Sequence, residues 1–368
     1  MKKSTMRISY WISIVVCKFT LTSEVLAQES TFWKYTDARE LTLVGKAHFG
    51  DHYFHRIDTA AFPAIPQTVK RLLTHSAGLA LSFSTNSTRL SVKWCTSDRK
   101  AGNNMTAIAH EGLDLYIKRD GRWQYAGVAR PATNECNEFT LVQNMASGDK
   151  ECLLYLPLYD ETISLHIGVT EGATLAARPD PFRNRILIYG SSIVHGASAS
   201  RPGLAYPARL SRETGHHFIN LGVSGNAKME ATVAEMITAL PMDALILDCV
   251  PNSSPQQITE RTANLVKTIR SKHPKMPIIA VQSIVRESGN FDRAIAERVA
   301  AQNANFDKEI RLLQHSDPHL YLITADGLLG DDNEGTTDGT HPNDLGFDRM
   351  LQKLKPALQT ILRKYAIE

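Results

Sequence analysis

Four short segments of this 368-residue chain carry residue types that could do chemistry together. Gly190-Ser191-Ser192-Ile193-Val194-His195-Gly196 sets two hydroxyls between glycines, which lets the backbone turn sharply and leaves helix-start N–H groups facing an anion. Asn220-Leu221-Gly222-Val223-Ser224-Gly225-Asn226 is a second glycine turn, able to aim an N–H into a cleft. Val250-Pro251-Asn252-Ser253 holds a side-chain amide that could donate to a developing oxyanion. In Asp338-Gly339-Thr340-His341-Pro342 a carboxylate three residues ahead of a histidine can hold one ring nitrogen and leave the other outward, as an oriented general base. Taken singly, each segment also fits ordinary structure: a glycine-rich strand-to-helix turn, a plain loop, a helix start at Ser253-Ser254-Pro255, and an Asx turn.

The elements that must position these segments are legible from hydrophobic periodicity. Beyond residue 180, apolar strands at 186–189, 218–220, 244–250, 278–281 and 320–323 alternate with helical stretches near 206–214, 228–240, 255–272, 291–314 and 343–365. That alternation predicts a doubly wound parallel sheet covered by helices on both faces, with its ligand site at the carboxyl ends of the strands. The four segments fall there. Between about 40 and 172 the pattern is instead β, with alternating runs at 79–84, 90–94, 113–118, 123–128, 153–156 and 163–169 and no helix. Asp120-Gly121 marks a hairpin between two of them. The prediction is an all-β sandwich or jelly roll, joined to the α/β half by a proline-stiffened linker at Ala176–Pro181.

The first 27 residues form a separate unit. Lys2, Lys3 and Arg7 precede the apolar run Ile8–Cys17, and Val25-Leu26-Ala27 supplies a cleavage site, the layout of a secretory signal peptide. The run is too short to span a bilayer that needs about 20 apolar residues. The predicted organisation is therefore a signal at 1–27, a sandwich at 28–178 and an α/β domain at 179–368, exported and soluble once the signal is removed. Lys2, Lys3, Arg7 and Lys18 against Glu24 carry the whole formal charge of +3, which leaves 37 basic and 37 acidic residues in the remainder. A balanced chain of this kind gives no reason to expect nucleic acid as a partner. Of the later cysteines, Cys95, Cys136 and Cys152 could pair in an oxidising compartment, with connectivity open, and Cys249 reads as a buried thiol inside an apolar strand.

In combination the four segments resemble the SGNH (GDSL-like) hydrolase family, whose blocks contribute serine, glycine, asparagine and histidine in this chain order. The run Ala199–Pro207 and the motif Gly112-Leu113-Asp114-Leu115-Tyr116 are similar to a subgroup with an N-terminal β-sandwich. The resemblance implies that Ser192 is the nucleophile, His341 the base and Asp338 its orienting acid, with an oxyanion hole from Ser192, Gly225 and Asn252. It implies a serine esterase acting on carboxylic esters, acetyl esters of carbohydrates by analogy, with no metal or organic cofactor. An acyltransferase using the same serine and an inactive glycan-binding protein are the rival expectations, and the oligomeric state stays open. Two positions depart from the family pattern: Ser191 stands where an aspartate is usual, and Val250 where a glycine is usual.

Three further features carry their own readings. Asp114 reads as a structural polar residue near the hairpin. His195 either lines the cleft or sits solvated in a first helical turn. His48, His52 and His55 suggest a metal site, but Gly50-Asp51 breaks any helix that would align the rings, so none is expected there.

Overall fold

The computed structural model describes residues 33–97, 99–133 and 135–368, so the predicted signal segment lies outside the described residues. The first half is built from β1 (Trp33–Asp37), β2 (Thr42–Val44), α1 (Gln67–Leu73), β3 (Ala80–Thr85), β4 (Leu90–Thr96), α2 (Ala107–Glu111), β5 (Leu113–Arg119), β6 (Arg122–Ala129), β7 (Cys136–Val142), β8 (Lys150–Tyr155), β9 (Thr162–Thr170) and β10 (Leu175–Ala177). These strands make two antiparallel sheets, β1-β9-β4-β7 and β10-β3-β8-β5-β6, with β2 also on β3. Their alternating side chains close one core between them, among them Leu81, Phe83, Val92, Trp94, Leu115, Leu154 and Ile167. The Asp120-Gly121 turn has both residues at positive φ, 51° and 73°, as a tight two-residue hairpin requires. Cys95 and Cys136, directly opposed on β4 and β7, form a disulfide, while Cys152 and Cys249 are free and buried.

The second half runs β11 (Arg183–Gly190), α3 (Ser192–His195), α4 (Tyr206–Thr214), β12 (His216–Gly222), α5 (Ala231–Thr238), β13 (Ala244–Asp248), α6 (Pro255–Arg270), β14 (Ile278–Val281), α7 (Arg293–Gln314), β15 (Leu320–Ile323) and α8 (Asp344–Arg363). Its five strands are parallel, in the order β12-β11-β13-β14-β15. Successive residues serve opposite helical layers. Leu187 and Tyr189 join the α5, α6 and α7 side chains, whereas Ile186 and Ile188 join Leu210, Phe347 and Leu354 from α4 and α8. A strand buried on both faces has no polar side to alternate with, which explains the continuous apolar runs. The chain order reverses between β11 and β13, and a doubly wound sheet opens its crevice at such a point. The fold class is the one the sequence predicts: an α/β sheet preceded by an antiparallel sandwich.

Three expectations need correction. The sandwich half does contain helices, α1 and α2, each too short to show periodicity. Val69, Leu72 and Leu73 of α1 bury themselves in the α5–α7 layer, so tertiary packing rather than local propensity stabilises that helix. The stretch 176–181 is not a free linker. β10 pairs with β3, the Ser82 hydroxyl donates to the Pro179 carbonyl, and Asp180 meets the His217 ring at 3.0 Å. The strand expected over 244–250 ends at Asp248, where a short turn at Val250–Asn252 follows. Among the described residues no helix is long and apolar enough to cross a membrane.

Candidate active site

At the β11 carboxyl end the chain has to pass very close to its neighbours. A Cβ on Gly190 would lie 2.4 Å from the Asp248 carbonyl and 2.2 Å from a Val194 methyl, so only glycine fits. The next residue, Ser191, caps α3: its hydroxyl accepts from the Ile193 N–H at 3.2 Å. A serine thus does the capping at the position where the family carries aspartate. Ser192 opens α3 and is almost buried. Its Oγ lies 2.8 Å from His341 Nε2. The Tyr159 hydroxyl, from the sandwich half, reaches the Ser192 carbonyl at 3.4 Å, which supports the turn from below.

Asp338 holds His341 with both carboxylate oxygens. Oδ1 accepts from the Thr340 and His341 N–H groups at 3.0 and 2.8 Å, an Asx turn that leads into α8. Oδ2 accepts from the His341 ring at Nδ1, 2.8 Å away. Burial pushes the Asp338 carboxyl up, but these bonds outweigh it and hold the group below the usual carboxylate range. The ring proton is therefore kept on Nδ1, and Nε2 presents its lone pair to Ser192.

The remaining two sequence candidates stand on neighbouring turns. Gly225 follows β12 at φ +72°, a left-handed conformation that favours glycine, and a side chain there would meet open space. Asn252 closes the turn after β13. Ser254 takes the N-cap of α6 with Pro255 and Gln257, so Asn252 is released from that role. Its Oδ1 is buried with no hydrogen-bond partner among the described residues. Gln302 on α7 and Arg286 pin the turn by donating to the Ser253 and Pro251 carbonyls at 2.6 and 3.0 Å. Val250, the second departure from the family pattern, is fully buried in the apolar layer. The structure thus brings Ser192, His341 and Asp338 into one hydrogen-bonded line. Gly225 and Asn252 sit on the turns after β12 and β13, the two strands that flank β11.

Other residues were invisible to sequence reasoning. Asn104, from the loop before α2, donates from Nδ2 to Asp338 Oδ2 at 3.1 Å. The same nitrogen lies 3.2 Å from His341 Nδ1, but that ring atom already carries the proton given to Asp338, so the amide's bond is to the carboxylate. Asn104 also lines a 370 Å³ cavity with Asn103, Thr106, Ser198, Ser200 and Thr337. Arg56 is fully buried, has no carboxylate partner among the described residues, and gives its protons to carbonyls of His75, Leu72, Asn220 and Gly222, clamping the end of β12. Burial pushes its guanidinium down to about 9. A polar loop and a lone arginine give no local signal of either role.

Two histidine and carboxylate readings change. His195 neither lines the cleft nor meets solvent; it is fully buried, donates from Nε2 to the Leu158 carbonyl at 2.7 Å, and stacks on Tyr159. Asp114 does not serve the hairpin. It is fully buried, accepts both short bonds from Arg201 Nη1, at 2.7 and 2.9 Å, and takes the Gly203 N–H at 2.8 Å. The motif Gly112–Tyr116 is thereby explained: Leu113 and Leu115 enter the sandwich core, while Asp114 and Tyr116 face the segment ahead of α4.

Comparison with known proteins places the fold and the family of both halves. Residues 183–359 match the GDSL-like Lipase/Acylhydrolase family, and residues 33–175 match the GxDLY family, the N-terminus of SGNH-hydrolase-type esterases. A structure from Bacteroides ovatus that bears the name GDSL-like lipase is 54% identical, with a TM-score of 0.89 over 90% of this chain and 98% of its own. A salicylyl-acyltransferase from a tetracycline biosynthetic pathway shares the fold at 20% identity and a TM-score of 0.71, over 89% of this chain and 97% of its own. A family two carbohydrate esterase from Cellvibrio japonicus does so at 14% identity and 0.60, over 90% and 99%. No curated protein matches the chain. The chain belongs to the GDSL-like lipase/acylhydrolase family, and is a carboxylic ester hydrolase built on a GxDLY sandwich and an SGNH-type α/β sheet.

Proposed function

We propose that the chain removes acyl groups, acetyl above all, from carbohydrate esters through an acyl-Ser192 intermediate. One observation carries the mechanism: the unbroken line from Ser192 Oγ through His341 to Asp338, with both bonds at 2.8 Å. Serine is a poor nucleophile until a base takes its proton, and His341 Nε2 is placed to do so as Oγ attacks the ester carbonyl. Asp338 stabilises the imidazolium that results. The oxyanion is held by the N–H groups of Ser192 and Gly225 and by the Asn252 amide, each such donor being worth about 2.7–4 kcal/mol of barrier. His341 then gives its proton to the departing sugar oxygen. Water, deprotonated by the same ring, releases the acid and restores Ser192.

A carbohydrate substrate is supported by the cavity beside Asp338, whose amides and hydroxyls can bond a polyhydroxylated leaving group. The zero formal charge of the chain beyond residue 27 suits a neutral ester. Export is part of the same reading, supported by the N-terminal segment and by the Cys95–Cys136 disulfide. So is a division of labour between a sandwich at 28–178 and a catalytic unit at 179–368. The test is acetate release from a panel of acetylated polysaccharides, with and without added alcohol acceptors. Ser192→Ala should abolish release and labelling by a fluorophosphonate. Hydrolysis surviving in that variant sinks the assignment, and product that forms only with an acceptor makes the enzyme a transferase.

A further inference from the structure

The histidines that lacked a helix to align them are gathered by a turn instead. The His55 N–H donates to the His52 carbonyl at 3.4 Å, and the buried Lys46 ammonium holds the carbonyls of His52 and Tyr53 at 2.5 and 2.9 Å. The two imidazoles are thereby set face to face, with centroids 4.3 Å apart and planes within 10°. Glu161, 106 residues away at the threshold of β9, brings Oε1 to 2.6 Å from His55 Nε2. One ligand-type atom from each of His52, His55 and Glu161 lies within 4.8 Å of the others. The group opens into a 520 Å³ cavity also lined by Asp51 and His166. His48 is not part of it.

We propose that His52, His55 and Glu161 bind one divalent transition-metal ion of zinc type, tying the 51–56 loop to the start of β9. Two imidazoles and a carboxylate suit a borderline cation such as zinc, and the cavity leaves room for water to complete the coordination. Parallel rings have parallel lone pairs, so one ring must turn for both to converge on an ion. His52 is exposed and can turn, whereas His55 is buried and already directed at Glu161. Binding exchanges the proton between His55 and Glu161 for the metal. Arg39, on the cavity wall, has its charge answered by Asp37, whose two carboxylate oxygens accept from its Nε and Nη2. The site has a structural consequence: His55 adjoins Arg56, which clamps β12, and Glu161 lies two residues beyond Tyr159, which supports Ser192. A second cluster, His110, Glu111 and Asp160, is fully buried and has Arg99 3.9 Å from Asp160, so a cation there meets a positive charge.

The test is calorimetric titration of the chelator-stripped full chain with zinc chloride. Among the described residues the free thiols, Cys152 and Cys249, are poor competitors, since both are buried and burial pushes Cys152 up to about 12. One equivalent should bind, and zinc should raise the melting temperature. His52→Ala and Glu161→Gln should each weaken binding at least about tenfold and remove the thermal shift, with circular dichroism unchanged. Ser192→Ala should bind zinc as the wild type does. No saturable binding overturns the proposal. So does binding that survives in the His52→Ala/Glu161→Gln double variant, or that is lost in His110→Gln but kept in Glu161→Gln.

Discussion

In the proposed mechanism one side chain, Asp338, is both structure and chemistry. One oxygen organises the turn and the other fixes the imidazole, so the two jobs separate under substitution. Asp338→Asn keeps an oxygen for the backbone but turns an N–H toward His341 Nδ1, which favours the wrong tautomer. We expect kcat to fall by about 10³–10⁴ with the melting temperature nearly unmoved, read by ester hydrolysis and thermal denaturation on the same preparation. Asn104 acts one step further out, as a positioning residue that donates to the carboxylate. Asn104→Ala removes one charge-assisted bond, so kcat on a small acetate ester should drop about tenfold. KM should stay put, and the acid limb of the pH profile should move up as the Asp338 carboxyl loses a donor. A shift in KM alone would assign Asn104 to substrate binding instead.

At the scale of elements, the end of β13 holds an unusual group. Asp248 is buried and accepts from the Tyr206 hydroxyl of α4 at 2.7 Å, with no cation beside it among the described residues. Burial pushes its carboxyl up to about 7, against a Tyr206 bond that lowers it. The folded state therefore keeps the proton to a higher pH than the unfolded chain does. Its stability contribution is present below pH 4 and is lost as pH rises toward 7, then stays level. Asp248→Asn retains an acceptor for Tyr206 without the titration. The variant's melting temperature relative to wild type should climb between pH 4.5 and 7 and flatten above it. A difference independent of pH would show that Asp248 is ionised in the fold throughout.

At the scale of the whole molecule, the two halves cohere through buried polar contacts as well as apolar ones. Residues 33–368 form one compact unit. Asp114 on β5 grips Arg201 and the Gly203 N–H across the join, and Arg201 stacks over Tyr125 at 4.5 Å. Removing one partner of a buried pair leaves the other uncompensated. Asp114→Ala should cost about 3 kcal/mol, the lower end of the usual range because Arg201 keeps some solvent contact. Guanidinium denaturation would measure it. Hydrolysis by the folded fraction should persist, since Asp114 touches none of Ser192, His341 and Asp338.

The sequence by itself determined the parallel sheet, the sandwich and the four turns that carry Ser192, Gly225, Asn252 and His341. Each depends on local causes: continuous apolar strands, alternation on half-buried ones, and glycine or proline where the backbone must bend. Even the capping and turn readings of those segments hold, because Ser254 caps α6 and Asp338 makes an Asx turn while the neighbouring atoms remain free for the site. Only the tertiary structure could decide which distant groups meet. Asn104 is 234 residues from Asp338, Arg56 is 166 from Gly222, and Glu161 is 106 from His55. Side-chain bonds of that reach leave no periodicity in the chain. α1 and α2 were hidden for a related reason: helices of seven and five residues are too short to hold by propensity and form where the fold gives them a surface to bury against.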